Sequence, residues 1–200
     1  MTRKRVFDIS VSLVALIVSA PIFLVAALAI RLESRGPALF FQTRVGQNAE
    51  PFLLVKLRTM HVRTQQDSAP FEAGRKDRIT RVGGILRSTK LDELPQFWNV
   101  LVGDMSVVGP RPEVPEWTAV YVPEWREVLR AKPGITDPAS IEWRHEEEVL
   151  SKCDDPNAYY HDVVLPRKLK LYRQYVETQS LSEDIRIIGR TAASLVRGRQ

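Results

Sequence analysis

The clearest pattern in the chain comes first. After the basic cluster Arg3, Lys4 and Arg5, residues 9–30 carry no charge and are mostly apolar. A run of about 22 such residues is long enough to cross the hydrocarbon core of a bilayer as a helix. Three readings fit it. In a signal peptide the basic cluster would lead to a cleavage site at Val18-Ser19-Ala20, but Pro21 would follow the cut directly and the apolar run continues beyond it. A transmembrane helix would cross once. A re-entrant helix would enter and leave by one face. For the last, Pro21 near the middle removes a helical hydrogen bond and crowds the carbonyl four residues back. Ser19 could offer its hydroxyl to the freed backbone, which a membrane demands. Arg31 and Arg35 follow the run, so both flanks are basic, and basic flanks prefer the cytoplasmic side. The spanning and re-entrant readings both stay open on the pattern alone. Either makes residues 1–35 a membrane anchor and residues 36–200 the domain it holds.

Beyond the Gly36-Pro37 turn signal the period shortens. Residues 38–43 and 52–59 are apolar or β-prone and flank Gly46-Gln47-Asn48, which predicts a β-hairpin. Residues 61–77 are polar, include Pro70 and Gly74, and predict a loop. A short helix over 79–88 is interrupted on paper by Gly83-Gly84. Leu91, Leu94, Trp98 and Leu101 keep helical spacing, so a helix is expected from Lys90 or Asp92, with a capping box at Thr89–Asp92 and with Pro95 favouring the later start. Residues 103–112 are rich in Gly and Pro and predict a fixed loop. Helix is expected over 113–131 in two pieces divided by Pro123, then, after a Pro133-Gly134 turn, over 141–150, 162–176 and 183–196, the last with a capping box from Ser180 to Glu183. The fold class is therefore α+β and mostly helical: a membrane helix, a small β-hairpin, and amphipathic interfacial helices around a compact domain.

Composition adds little until chemistry is considered. The net charge is +5 and the pI about 9.5, a balance that suits anionic partners without choosing among them. One cysteine, Cys153, excludes an internal disulfide, and His61, His145 and His161 are scattered without zinc-ligand spacing. The helix near residues 165–176 mixes Arg167, Lys168, Lys170 and Arg173 with Leu, Tyr and Val. That pattern suits an anionic membrane surface and equally a core-facing helix with a charged outer side.

Asp92-Glu93 is the candidate centre. Carboxylates at a helix start are favoured as anions by the positive end of the dipole, and such pairs are also common as plain stabilising decoration. An ionised, held aspartate can attack phosphorus, and a neighbouring carboxylate can hold Mg²⁺. The surroundings give the pair weight. Lys56 and Arg58 alternate with apolar residues at the end of the second strand, Arg87 precedes the pair, and Arg111 is stiffened between Pro110 and Pro112. Such cations suit phosphate oxygens and offset the repulsion between an attacking anion and an anionic diphosphate.

Three strings stand in order: Lys56-Leu57-Arg58-Thr59-Met60; Leu91-Asp92-Glu93-Leu94-Pro95-Gln96 with Asn99-Val100-Leu101; and Gly103-Asp104-Met105-Ser106-Val107-Val108-Gly109-Pro110-Arg111-Pro112. Pro133-Gly134-Ile135-Thr136 follows. Together they resemble the bacterial sugar transferase family, the monotopic phosphoglycosyl transferases, from about Arg5 to the C-terminus. The resemblance implies a re-entrant first helix broken at Ser19 and Pro21, Asp92 as nucleophile, and Glu93 assisting with Mg²⁺. It puts Lys56, Arg87 and Arg111 on basic positions of the site. It also implies a UDP-sugar donor, release of UMP, a polyprenyl (undecaprenyl) phosphate acceptor, and a place on the cytoplasmic face of the bacterial inner membrane. The step would be the first membrane step of glycoconjugate or exopolysaccharide assembly. Phospholipid is an expected partner, nucleic acid is not, and a homodimer is allowed. The chain departs from the family after Thr136, reading Asp137-Pro138-Ala139-Ser140-Ile141-Glu142-Trp143-Arg144. This segment is expected to shape the sugar or nucleotide pocket, with Arg144 as its substrate-facing cation. Two rivals remain: a membrane-tethered phosphohydrolase that passes the phosphoryl group from Asp92 to water, and a non-enzymatic basic protein binding anionic lipid or nucleic acid.

Overall fold

A computed structural model describes residues 2–62 and 78–197. Its first helix, α1 (Arg3–Glu33), starts where the Thr2 hydroxyl accepts the Arg5 N–H and closes with Arg31 in its last turn. Thirty-one residues make a helix with a contour of about 46 Å. Helical conformation continues through Pro21, and the Ser19 hydroxyl bonds the Leu16 carbonyl at 3.5 Å. The break expected at Ser19 and Pro21 is therefore not an interruption of the helix. Asp8, Ser12, Ser19, Ala26 and Ile30 form one buried stripe, because steps of four and seven residues return to the same helical face. The other faces leave Val14, Ile17, Val18, Leu24, Val25 and Leu28 exposed.

Both ends of α1 are fastened to the same body. At the start, Arg5 donates to the carbonyls of Val100 and Leu101 at 2.5 and 2.8 Å. At the far end the Glu33 carboxylate accepts the N–H groups of Arg81 and Val82 at 2.8 and 3.0 Å, and Ala26 and Ile30 pack with Leu57 and Leu86.

The hairpin forms as predicted. Strands β1 (Leu39–Val45) and β2 (Pro51–Leu57) pair antiparallel from Leu39↔Leu57 to Val45↔Pro51. Helix α2 (Arg81–Thr89) is not interrupted at its glycines. Gly83 is there because the helix presses on Thr59: a Cβ would lie 2.0 Å from the Thr59 carbonyl oxygen. The capping box expected at Thr89–Asp92 does not form. The Thr89 hydroxyl bonds back to Ile85 and Leu86, Lys90 turns left-handed at φ 59, and Leu91–Glu93 makes a single 3₁₀ turn. Helix α3 (Gln96–Val102) then starts behind Pro95. Most of the loop expected over residues 61–77 lies outside the described residues.

The expected loop 103–112 contains a strand, β3 (Ser106–Val108). Residues 115–128 form α4 (Pro115–Thr118) and α5 (Val122–Val128), divided as predicted before Pro123. Pro133-Gly134 is the entrance to β4 (Gly134–Thr136) instead of a turn, and β4 pairs parallel with β3. Backbone meets backbone there, since a Cβ on Gly134 would lie 2.1 Å from the Gly109 nitrogen. Short helices α6 (Pro138–Glu142), α7 (Glu146–Leu150) and α8 (Pro156–Tyr159) follow, then a π-helical turn at Tyr160–Val164. Helix α9 (Leu165–Thr178) buries Leu165, Leu169 and Tyr172 against Trp125, Val128 and Val164, and Tyr175 in a second cluster with Val100, Met105 and Val108. Helix α10 (Leu181–Arg197) starts at the predicted Ser180 cap, whose hydroxyl accepts the Glu183 N–H at 3.3 Å. The fold is α+β and mostly helical, as expected.

Candidate active site

The 3₁₀ turn between α2 and α3 carries the acidic pair. Asp92 is buried, and its Oδ1 has no hydrogen-bond partner. Burial, and next the charge of Glu93, push its carboxyl up to about 6 from 3.8, while Lys56, Lys90 and Arg111 pull the other way. Glu93 behaves differently one residue on. Burial opposes its ionisation too, but the charge and hydrogen bonds of Arg111 outweigh that and hold it below its ordinary value. The guanidinium forks onto the carboxylate, Nη2 to Oε1 at 2.5 Å and Nη1 to Oε2 at 3.4 Å. Adjacent carboxylates thus have different environments: one is pinned by arginine, the other is buried with one oxygen unpartnered.

Lys56 is brought in by β2. It lies 5.4 Å above the Phe40 ring. Burial first, then the nearby Arg44, lower its ammonium to about 8, and Asp92 acts in the opposite sense. Arg87, in the last turn of α2, adds its field to that lysine. Of the expected site residues, then, Asp92, Glu93, Lys56, Arg87 and Arg111 gather in one electrostatic neighbourhood. Arg58 stands apart. It is buried and donates to the carbonyls of Ser34, Arg35, Gly36 and Pro37 at 2.9, 2.9, 3.4 and 2.7 Å. In this geometry it clamps the chain as it leaves α1. Arg144 is half-buried in the turn between α6 and α7 and is not among the charges that bear most on Asp92.

Sequence reasoning missed Arg44. It donates to the Pro112 carbonyl at 3.1 Å and to Gln42 at 2.9 Å, and lies 3.5 Å from Glu113. Glu113 in turn accepts the Tyr160 hydroxyl at 2.5 Å. Strand alternation held the signal. Arg44 opposes Phe52 and Lys56 opposes Phe40, so with a period of two both cations occupy the same hairpin face. Lys90 was read only as a helix start, yet its left-handed turn puts its charge next to Asp92. The segment after Thr136 also reaches this region. Asp137 caps α6 by accepting the Ser140 N–H and hydroxyl, and its charge bears on Arg111.

Among the described residues no cluster of three or more acidic, His or Cys side chains forms a protein cage for a metal. The donor set suits Mg²⁺ in another way. That ion takes one or two carboxylates and completes its shell with water and substrate phosphate. The unpartnered Asp92 oxygen beside Glu93 fits an ion shared with a diphosphate.

A family model described as "Bacterial sugar transferase" matches residues 1–198. A Caulobacter vibrioides protein named UDP-glucose:undecaprenyl-phosphate glucose-1-phosphate transferase is 41% identical over 199 residues, covering 97% of this chain and 70% of its own length. A Klebsiella pneumoniae protein of the same name is 44% identical over 159 residues, or 77% of this chain and 34% of its own length. An Aeromonas hydrophila protein named UDP-N-acetylgalactosamine-undecaprenyl-phosphate N-acetylgalactosaminephosphotransferase is 34% identical over 200 residues, or 98% of this chain and 44% of its own length. The chain thus spans most of the first relative and less than half of the other two.

Proposed function

The chain belongs to the bacterial sugar transferase family, and on that premise we propose that it moves a sugar 1-phosphate from a UDP-sugar to undecaprenyl phosphate through a covalent intermediate on Asp92. In the first step an ionised Asp92 oxygen attacks the β-phosphorus. The bond from that phosphorus to the bridging oxygen breaks, UMP leaves with the oxygen, and the sugar phosphate is held as an acyl phosphate. In the second step an oxygen of undecaprenyl phosphate attacks the same phosphorus and frees the Asp92 carboxylate. The observation that carries this reading is the buried, unpartnered Asp92 oxygen within the field of Lys56, Lys90 and Arg111. A carboxylate raised to about 6 is still ionised at neutral pH and is more basic than an ordinary aspartate, which favours attack on phosphorus. The surrounding cations neutralise the diphosphate during displacement. Mg²⁺, when bound, would supply further charge neutralisation, with Glu93 holding it through oxygen capacity that Arg111 does not use.

A lipid acceptor requires a membrane site. The hydrocarbon core is about 30 Å thick, so a straight crossing would carry one end of α1 away from the body that both ends contact. That double attachment favours the re-entrant reading, with the exposed apolar middle in lipid and the basic flanks on the cytoplasmic face. Phe41, Leu53, Ile85, Trp98 and Val102 are further exposed apolar side chains on the hairpin, α2 and α3, suited to the same interface.

The test is UMP release from UDP-glucose, UDP-N-acetylgalactosamine and other UDP-sugars by detergent-solubilised protein with Mg²⁺, with and without undecaprenyl phosphate. Sustained release only with the lipid, and a sugar-phosphate adduct on Asp92 without it, is the expected result. Full turnover without lipid would replace the transferase by a hydrolase.

A further inference from the structure

The first turns of α1 make more polar contacts than anchoring requires, and they converge on β3. Asp8 is 3% exposed. Its two carboxylate oxygens accept the Ser106 hydroxyl at 3.0 and 2.9 Å, and Oδ1 also accepts the Val107 N–H at 3.0 Å. One turn earlier, the Lys4 ammonium donates to the Val108 carbonyl at 3.1 Å and to Asp184 at 2.6 Å. Tyr175 completes the contact, donating its hydroxyl to that carbonyl at 3.0 Å or to Asp184 at 2.6 Å. Side chains of the membrane helix thus take backbone groups of a three-residue strand that has β4 as its only strand partner among the described residues.

From β3 the chain runs directly to the site. Gly109 donates to the Thr136 carbonyl at 3.1 Å, and the Pro110 carbonyl accepts the Gly134 N–H at 2.9 Å. Pro110 and Pro112 fix φ on both sides of Arg111. Arg44 then holds the Pro112 carbonyl at 3.1 Å. Few free torsions separate the Asp8 carboxylate from the guanidinium that forks onto Glu93, so a shift of β3 against α1 moves Arg111.

We propose that Asp8 is a positioning residue. By tying β3 to the membrane helix, it sets Arg111 against Glu93 and Asp92, so that seating the helix and assembling the phosphate site are one event. This rests on the transferase reading only in treating Arg111 as part of the working site.

The experiment uses the full chain in detergent micelles with Asp8→Ala, Asp8→Asn, Arg111→Ala and the double variant Asp8→Ala/Arg111→Ala. Backbone hydrogen exchange reads the link without any activity. Asp8→Ala should speed exchange across residues 107–113 and leave α5 and α9 unchanged. In UMP release, Asp8→Ala should lower kcat about 100-fold, the scale of an ångström-sized misplacement, with little change in KM. Added to Arg111→Ala it should cost little more, because the two losses share one route. Asp8→Asn, which keeps an acceptor for the Val107 N–H, should recover part of both readouts. Unchanged exchange at 107–113, or losses that multiply in the double variant, would overturn the proposal, as would faster exchange throughout the chain. If the unaltered chain released no UMP while Asp8→Ala still loosened 107–113, the link would stand and the transferase reading would fall.

Discussion

Replacing Asp92 by Asn should abolish activity and stabilise the fold at the same time. The fold holds the Asp92 carboxyl at about 6 against an ordinary 3.8, about two pH units, or about 3 kcal/mol disfavouring the anion. A carboxyl raised in the folded state is neutral in both states below pH 3.8. Between about pH 3.8 and 6 the unfolded chain releases this proton while the fold keeps it, so the carboxyl's contribution to stability falls across that window and levels off above about 6, where the fold holds the buried anion. Asparagine has nearly the same shape and carries no charge. At pH 8 the Asp92→Asn variant should therefore be more stable by about 3 kcal/mol, a rise in Tm of about 6–12 °C for a chain of this size. At pH 5 the gain should shrink to about half. Thermal unfolding in detergent at the two pH values, beside UMP release at pH 8, measures both effects. Residual release within about tenfold of the parent would refute the nucleophile, and a variant less stable at pH 8 would refute the burial argument for the raised pKa.

The pH profile of UMP formation should be a bell, rising through about 6 as Asp92 ionises and falling above about 8 as Lys56 loses its charge; Lys56→Met should lower the plateau and remove the alkaline fall, and a profile flat from pH 5 to 9 would contradict both assignments. Arg111→Met should reduce kcat by about 100-fold or more, since it removes a cation that acts on Asp92 and releases Glu93; Arg111→Lys should recover only part, because an ammonium cannot fork onto the carboxylate. Arg58→Ala should lower stability by about 3–5 kcal/mol, four carbonyl acceptors being left behind. The folded fraction of that variant should keep its kcat within about threefold, and a larger loss, measured per folded molecule, would return Arg58 to the substrate site.

Much of the protein was legible in the order of its residues. The uncharged run 9–30 marked the body of α1 (Arg3–Glu33), and the apolar or β-prone segments on either side of Gly46-Gln47-Asn48 marked the hairpin, because both signals are local in the chain. Pro123 and Ser180 marked real helix boundaries for the same reason: a missing N–H or a capping hydroxyl acts on its own turn. Asp92, Glu93, Lys56, Arg87 and Arg111 were legible as candidates through motif strings, which record residue types but not distances. Tertiary structure decided the rest. Strands β3 and β4 lie in segments read as a loop and a turn, since a three-residue parallel pair has too little periodicity to register and depends on Gly109 meeting Gly134 across about 25 positions of chain. Gly83 continues a helix it seemed to break, because it faces the Thr59 backbone. Arg58, expected at the substrate site, clamps four carbonyls instead, and Arg44, given no role on paper, faces the Pro112 carbonyl and Glu113, since what a guanidinium meets depends on what folds against it. Asp8, an unremarked acid before the apolar run, acquired partners 98 and 99 positions away. Local pattern fixes which elements form; contacts between distant segments decide which charges they bring together, and no short-range period encodes those contacts.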